Sequence, residues 1–301
     1  MHHLTLGLGL SCSGLAVLGM VFPWWPRDRW EPGALFFYVM VPTVVVGLAS
    51  LGVALGWRKC SLRWGAIVVL AGALVMAGSG KSGQITETTS DGRVEKRRVI
   101  FWNVSWGMTL GVEEWCAFIN ESGADYLGFS EVYQGLGSSL RDGTVATLVP
   151  GYQGRYLGGG MALFWRKELS GRVIVGKAGE HWAAVIAEID GERVALVDLA
   201  SDPRAWRGKS LPDVFEVVKD CDVVMGDFNT PYRSAFFDPF RAQFQCGNTA
   251  GFKNRATWPQ KWPLLALDHL FLARDLSLSH YQRRPHSKSD HLQVWAEWEK
   301  R

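Results

Sequence analysis

The stretch from Val223 to Asn229 holds the residues best suited to chemistry; it reads Val-Val-Met-Gly-Asp-Phe-Asn. Its apolar start predicts the end of a buried strand, and Gly226 predicts a tight turn directly after it. Asp227 and Asn229 are two positions apart, so their side chains would point the same way in extended backbone. Such a pair could bind a phosphate group, a metal ion or a water molecule. Asp and Asn are also common turn residues, so the stretch alone does not separate a site from an ordinary turn.

Other polar residues also stand at the ends of predicted strands or in the turns just beyond them. Catalytic groups are usually carried on such scaffold edges, so we expect these side chains to converge. Carboxylate and carboxamide oxygens are ligands for a hard cation such as Mg²⁺. An Asp-His pair can orient and charge an imidazole beside a phosphate, and a second Asp can activate water. The set comprises Asn103, Glu131, Asp227, Asn229, Asp268, Asp290 and His291.

The elements that must position this set follow from the apolar patterns. Val112, Trp115, Phe118 and Ile119 space one apolar stripe, which predicts a helix over 112–122. A short helix is predicted near 211–219, just before the stretch described first. Strands are predicted at 98–104, 126–132, 161–165, 172–176, 182–189, 193–199, 267–271 and 292–298.

Residues 98–298 resemble the endonuclease/exonuclease/phosphatase superfamily, the DNase I-like metal-dependent phosphodiesterases. The similarity is closer to bacterial membrane-attached members, through the extended form Gly226–Pro231, then Ser234, then Thr257–Pro259. The motifs that carry the resemblance occur in the family's order. They are Trp102-Asn103, Phe129-Ser130-Glu131, Gly226-Asp227-Phe228-Asn229, Leu267-Asp268-His269 and Ser289-Asp290-His291.

This resemblance implies a four-layered α/β sandwich with the site at one rim of two packed sheets. Glu131 would be the main Mg²⁺ (or Mn²⁺) ligand, helped by Asn103 and Asp290. Asp227 would activate the attacking water. Asn229 would hold a phosphate oxygen or orient Asp227. His291, held by Asp268, would stabilise the charge that develops on the phosphoryl group. His269 would be structural.

The chain departs from the family pattern at two positions. Asp198 stands where relatives usually have a His, in some a Tyr, that contacts the phosphate. A carboxylate there repels a phosphodiester unless a cation or a shared proton intervenes. Asp198 could bind a second metal, Arg204 or His181 could supply the lost donor, or activity could be reduced. Leu267 also replaces the Arg of many relatives.

Residues 1–80 are predicted to form a membrane region with about three transmembrane helices, at 4–22, 34–57 and 64–80. The basic segment 57–63 would stay in the cytoplasm, which predicts a multi-pass inner-membrane protein whose domain at 98–301 is extracytoplasmic. Residues 81–97 are rich in Gly, Ser and Thr and predict a flexible linker.

Charge and cysteine content narrow the function classes. Residues 1–80 carry five Lys/Arg and two acidic residues, and the remaining 27 basic and 27 acidic residues leave 81–301 neutral. A neutral domain lacks the positive electrostatic potential that attracts nucleic acid without sequence specificity. The five cysteines are scattered without a Cys-x-x-Cys, so buried free thiols are expected rather than a zinc site.

The sequence therefore favours a membrane-anchored, divalent-metal-dependent phosphoesterase. Its substrate would be a phosphodiester, from nucleic acid or a lipid headgroup, or a small phosphomonoester, with the lipid bilayer as a further partner. The alternative is a non-catalytic membrane-tethered binding module that retains the fold. Convergence of Asp227, Glu131 and His291 around a metal-sized space would favour the enzyme.

Overall fold

The computed structural model describes residues 2–21, 27–29, 31–40, 42–56, 67, 69–72, 96–105, 110–202, 205–247 and 256–300. The chain divides into two compact units. The first comprises Met1–Gly83, Arg233–Phe236 and Ala250–Arg255, and the second comprises Gln84–Tyr232, Phe237–Thr249 and Ala256–Arg301. Arg204 and residues 81–95 of the predicted linker lie outside the described residues.

The first unit contains helices α1 (His2–Val21), α2 (Glu31–Val39) and α3 (Pro42–Gly56). Helices α1 and α3 pack through Ala16, Val45 and Ala49, which are buried. Asp28 is also buried, and its carboxylate accepts hydrogen bonds from the Ala235 amide (2.7 Å) and the Tyr38 hydroxyl (3.2 Å). The segment Arg233–Phe236 is therefore fixed within this unit by hydrogen bonds to its backbone.

The predicted membrane region is not supported by these helices. Within the described part of the chain, no helix combines the length and the apolar character needed to cross a bilayer. The predicted span 34–57 is divided between α2 and α3, which have 9 and 15 residues and are shorter than the ~30 Å hydrocarbon core at ~1.5 Å per residue.

For the described residues, the prediction of transmembrane helices and of a multi-pass inner-membrane location is therefore wrong, and the extracytoplasmic placement of the domain loses the spans on which it rested. The physical origin of this error is Pro42, which begins α3 rather than kinking one continuous helix, because proline is compatible with the first helical position. Of the third predicted span, only residues 67 and 69–72 are described.

The second unit is built on two six-stranded sheets. The first has the strand order β11-β12-β1-β2-β4-β3, and the second has the order β5-β6-β7-β8-β10-β9. The strands are β1 (Lys96–Asn103), β2 (Tyr126–Ser130), β3 (Tyr152–Gly158), β4 (Met161–Arg166), β5 (Gly171–Ala178), β6 (Trp182–Ile189), β7 (Glu192–Leu199), β8 (Val223–Asp227), β9 (Phe244–Cys246), β10 (Asp268–Ala273), β11 (Leu276–Arg284) and β12 (Gln293–Lys300).

Helices cover the outer faces of the two sheets and give the predicted four layers. One apolar core lies between the sheets and includes Phe101 and Met225, and a second lies under α4 and includes Trp115. The three cysteines of this unit are buried, and Cys116 and Cys221 are free thiols, as expected. The helices are α4 (Val112–Ser122), α5 (Gln134–Arg141), α6 (Thr144–Leu148), α7 (Arg207–Val218) and α8 (Asp238–Gln243).

Each sheet has a parallel pair at its centre, and these pairs bring distant residues to one edge. Strands β1 and β2 are parallel, with Asn103 opposite Ser130, and Glu131 follows directly. Strands β7 and β8 are parallel, with Asp198 opposite Asp227. Strand β10 runs antiparallel to β8 and places its first residue, Asp268, on the other side of Asp227. The carboxyl ends of four strands and the start of a fifth therefore meet at one rim.

Gly226 permits the close approach of β7 to β8 at this rim. A Cβ at this position would lie 2.0 Å from the backbone oxygen of Val197, a clash that backbone atoms cannot relieve cheaply. We expect Gly226→Ala to lower the free energy of unfolding by roughly 3 kcal/mol or more, measured by urea denaturation.

Gly135→Ala in α5 is the matched control, because a Cβ there meets no atom within 4 Å. Its free energy of unfolding should equal or exceed that of the wild type, since Ala favours helix over Gly. Coincident unfolding curves for the two variants would contradict the close approach at Gly226.

Candidate active site

Asn103 joins the two sheets at the rim. Its Nδ2 donates hydrogen bonds to Asp227 Oδ2 (2.9 Å) and to Glu131 Oε1 (3.0 Å). Its Oδ1 accepts a hydrogen bond from the Ser105 amide at 2.8 Å. Because Asn103 is fully buried, these three bonds satisfy a carboxamide that would be costly to bury alone. They also fix the separation of Glu131 and Asp227, which the sequence places nearly a hundred residues apart.

Asp227, Asp268 and His291 form a buried polar cluster at the rim. One potential ligand atom from each lies within 4.8 Å of the others, and all three residues are buried. The Nδ1 atom of His291 lies 2.9 Å from Asp268 Oδ2. The backbone amide of Asp268 donates to the hydroxyl of Thr257, which fixes the start of β10.

The electrostatics of this cluster follow from crowding of negative charge in a buried place. Burial and then the Asp268 carboxylate raise the pKa of Asp227 to about 7. Burial by itself would lower the pKa of His291, but the charge of Asp268 and its hydrogen bond outweigh burial and raise that pKa to about 10. His291 is therefore an imidazolium at neutral pH, paired with Asp268.

Asp198 adds a further carboxylate beside Asp227. Burial, followed by the charges of Asp227 and Glu131, raises the pKa of Asp198 well above its ordinary value. Two residues were predicted to supply the hydrogen-bond donor that Asp198 lacks, and the structure describes only one of them. His181 directly precedes β6, and its imidazole Nε2 is 3.7 Å from the Glu180 carboxylate. Arg204 is one of the residues that the structure does not describe.

The side chains of Asn229 and Asp290 do not hydrogen-bond to the cluster, but the backbone amide of Asn229 does. The Asn229 side chain donates to the Leu199 carbonyl at 2.8 Å, while its backbone amide donates to Asp227 Oδ1 at 2.8 Å. Asp290 accepts hydrogen bonds from the Ser105 hydroxyl and from Trp258 Nε1. Burial would raise the pKa of Asp290, but these hydrogen bonds outweigh burial and leave the pKa below its ordinary value.

His269 and Leu267, two positions of the family motifs, make packing and backbone contacts. His269 is fully buried, with Nε2 2.8 Å from the Thr230 carbonyl oxygen, and it packs among aromatic rings that include Phe237. Leu267 is buried, and its carbonyl accepts from the Phe228 amide at 3.0 Å. Neither side chain brings a charged group to the rim.

The backbone at the rim adopts left-handed conformations that non-glycine residues rarely take. The φ angles are 49° at Ser105, 58° at Glu131 and 45° at Asn229. Each of these residues directly follows or soon follows the end of a rim strand. Strained residues of this kind cluster at functional sites, where the surrounding structure holds them in place.

Arg207 is a site residue that the sequence did not reveal. Its guanidinium is buried and donates to the Ala200 carbonyl (2.7 Å) and the Asn229 carbonyl (3.2 Å). It therefore ties the turn after β7 to the turn after β8. An Arg at the first position of a helix usually lies in solvent, so its sequence context carries no signal of this role.

The chain matches the family model described as the Endonuclease/Exonuclease/phosphatase family over residues 100–291. This match contains every rim residue described above. The chain belongs to this family. No curated protein matches it significantly.

Solved structures agree on the fold. An endonuclease/exonuclease/phosphatase from Bacteroides vulgatus superposes on 69% of this chain and 100% of its own, at 15% identity and a TM-score of 0.52. TDP2 of D. rerio, complexed with single strand DNA product, superposes on 68% of this chain and 100% of its own, at 16% identity and a TM-score of 0.51. A functionally unknown conserved protein from Enterococcus faecalis also covers 68% of this chain and 100% of its own, at 14% identity and a TM-score of 0.51. At these identities the similarity concerns the fold alone.

The rim residues of this family member fit a divalent cation. Asp268 Oδ1 is buried and has no hydrogen-bond partner among the described residues, and Asp227 lies beside it with a raised pKa. Two such carboxylates repel each other unless a proton or a cation lies between them. A hard divalent cation takes carboxylate oxygens as ligands and, when bound, would supply positive charge to polarise a phosphoryl oxygen.

Asp227→Asn is expected to make stability less dependent on pH in chelator-containing buffer. A raised folded-state pKa means that the contribution of Asp227 to stability is complete below 3.8 and is lost as pH rises through about 7. The melting temperature of the wild type should fall by roughly 5 °C more than that of the variant between pH 5 and pH 8.

Glu188→Gln serves as the control for this comparison, because Glu188 forms an exposed pair with Arg172. Its melting temperature should follow the wild type at every pH, since exposed pairs contribute little. Parallel pH profiles for the wild type and Asp227→Asn would be inconsistent with a buried, charge-crowded Asp227.

Proposed function

We propose that this family member is a divalent-metal-dependent phosphoesterase, with residues 98–301 as its catalytic domain. The observation that carries the proposal is the grouping of Asp227, Asp268 and His291 within 4.8 Å, with Asn103 linking Asp227 to Glu131. The grouping supports the enzyme over the non-catalytic binding module, because that alternative does not require crowded carboxylates or a charged imidazole at one point.

In this proposal the chain's own groups divide the work of hydrolysis. Asp227 accepts the proton of the attacking water, a role suited to its pKa of about 7. The His291 imidazolium, oriented by Asp268, stabilises the negative charge that develops on the phosphoryl oxygens as the leaving oxygen departs in line. Asn229 orients Asp227 through its backbone amide, which donates to Oδ1.

The metal ligands are proposed from two sets. Glu131, Asn103 and Asp290 follow from the family pattern, whereas Asp227 and Asp268 offer carboxylate oxygens of the compact cluster. Asn103 connects the two sets, because its Nδ2 donates to both Glu131 and Asp227. Mg²⁺ and Mn²⁺ both suit oxygen ligands of this kind.

The substrate is proposed as a phosphate ester, either a phosphodiester or a phosphomonoester. TDP2, a relative in fold, has been solved with single strand DNA product, which makes a nucleic-acid phosphodiester the first candidate. The neutral charge of residues 81–301 favours a small substrate or a strand end over non-specific duplex binding. Lipid headgroups belong in the same test panel as small phosphodiesters.

Hydrolysis by the full-length protein tests the proposal. We would assay bis-p-nitrophenyl phosphate, p-nitrophenyl phosphate, single-stranded DNA and sphingomyelin with Mg²⁺, Mn²⁺ or EDTA. Asp227→Asn, Glu131→Gln and His291→Asn should each lower kcat by about 100-fold or more, because each removes a group proposed to act on the reacting atoms.

Glu188→Gln should retain wild-type turnover, since its carboxylate lies in an exposed pair on β6. Turnover that persists in EDTA, or that survives in Asp227→Asn, would contradict the proposal. A folded protein without turnover on any of the four substrates would favour the binding module.

Metal binding has a readout that does not need activity. Mg²⁺ should raise the melting temperature of the wild type by several degrees at pH 8 and by less at pH 5, where protons compete for Asp227. Asp268→Asn should lose most of this stabilisation, and Glu188→Gln should keep it. Equal stabilisation of all three proteins would exclude Asp268 from the cation site.

A further inference from the structure

Three carboxylates lie side by side at the rim of the second sheet. The register pairs Asp198 with Asp227 on one side and Asp268 with Asp227 on the other. Neighbouring strands are about 4.8 Å apart, so Asp198 and Asp268 are separated by two strand spacings, roughly 10 Å. The compact cluster of Asp227, Asp268 and His291 accordingly leaves Asp198 outside. A cation held between Asp227 and Asp268 would therefore not be a cation bound to Asp198.

Among the described residues, the Asp198 carboxylate lacks a hydrogen-bond donor. Its neighbour Asp227 accepts from Asn103 Nδ2 and from the Asn229 amide, and Asp268 is paired with His291. The Asp198 side chain is partly exposed, so it can take a ligand from solvent. A carboxylate in a row of carboxylates needs a positive partner, and here that partner has to be bound.

Ser130 lies on the opposite sheet, and the position of Gly128 shows what it faces. A Cβ at Gly128 would be 2.7 Å from Met225 Cε and 2.9 Å from Leu196 Cδ1, so this part of β2 lies directly against β7 and β8. Alternate residues of a strand point to the same face. Ser130 therefore faces the same two strands as Gly128 does, one layer closer to the rim.

Asp198 and Asp227 occupy that layer of β7 and β8, because they follow Leu196 and Met225 by two positions. Asn103 confirms the level. It is the register neighbour of Ser130 on β1, and its Nδ2 reaches Asp227 Oδ2 at 2.9 Å across the sandwich. The Ser130 hydroxyl is thus directed toward the carboxylate row from the other sheet.

The Ser130 hydroxyl is fully buried, and it has no hydrogen-bond partner among the residues that the structure describes. A buried hydroxyl without a partner is costly and calls for a ligand. Serine hydroxyl and carboxylate oxygens both bind Mg²⁺ in phosphoryl-transfer sites. Mg²⁺ needs only one or two carboxylates from the protein, since waters and phosphate oxygens complete its coordination.

We propose that Asp198 and Ser130 form a second divalent-cation site, with the carboxylate and the hydroxyl as its protein ligands. This inference rests on the proposed phosphoesterase function for its role. A cation bound there would turn a carboxylate that repels a phosphate ester into a positively charged contact for a phosphoryl oxygen. It is separate from the ligand sets proposed above, because neither includes Asp198 or Ser130.

Counting bound Mn²⁺ tests the inference without measuring activity. The full-length protein would be titrated with Mn²⁺ at pH 8, and free Mn²⁺ would be followed by its electron paramagnetic resonance signal. The wild type should bind two ions and Asp198→Asn one, because a carboxamide lacks the charge. Ser130→Ala should bind the second ion about tenfold more weakly, the effect of losing one neutral group that contacts a charge.

Ser122→Ala is the matched control for Ser130→Ala. The Ser122 hydroxyl is also buried, but it donates to the Ile119 carbonyl at 2.8 Å. Ser122→Ala should bind two Mn²⁺ ions with wild-type affinity and should melt at a lower temperature in EDTA. Ser130→Ala should melt in EDTA at or above the wild-type temperature, because it removes a buried polar group that lacks a partner.

The outcomes separate this site from the function on which its role rests. Two Mn²⁺ ions bound with unchanged affinity in both Asp198→Asn and Ser130→Ala would overturn the site alone. A wild type that binds a single Mn²⁺ and has metal-dependent turnover would also overturn the site and leave the proposed function standing. A wild type that binds no Mn²⁺ would overturn both proposals.

Discussion

The rim depends on a single buried carboxamide. Asn103 ends a strand of one sheet, and its Nδ2 donates to Asp227 of the other sheet and to Glu131 of its own. Two carboxylates are thus drawn toward one donor across the interface of a sandwich whose core is otherwise apolar. Without that donor the carboxylates would face each other with uncompensated charge, since burial in an apolar interior raises the cost of every ionised group. The remaining groups of the rim are arranged around this contact.

Much of the fold could be predicted because its strands are short apolar runs bounded by turn residues. The runs at 161–165, 182–189 and 193–199 correspond to β4, β6 and β7. Strands β3, β9 and β11 and helices α5, α6 and α8 were not predicted, and β3 and α5 show why. Strand β3 contains two Gly and the charged Arg155 and is nowhere fully buried, and α5 contains Gly and Ser, which are weak helix formers. Their positions are set by packing against other elements rather than by local preference.

The convergence of these polar residues at one rim could be predicted from the sequence, but the hydrogen bonds between them could not. Strand-end placement was enough to bring Asp227, Asp268 and Glu131 to one rim. It could not indicate that Asp290 would accept from Ser105 and Trp258, or that Arg207 would tie two turns together. Those contacts involve backbone carbonyls and side chains far apart in sequence, and no periodicity encodes them. The membrane prediction failed because it rested on the apolar composition of the predicted span 34–57 and missed its division into two short helices.

The left-handed backbone at Ser105, Glu131 and Asn229 has a consequence for the evolution of this protein. Glycine takes such conformations without penalty, so replacement of Ser105 or Glu131 by Gly would relieve local strain and remove a polar group from a crowded rim. Selection for heat resistance alone would therefore favour glycine at positions where the proposed chemistry needs a carboxylate or a hydroxyl. Retention of non-glycine residues there would measure how strongly a lineage depends on the reaction, independently of how stable its proteins are.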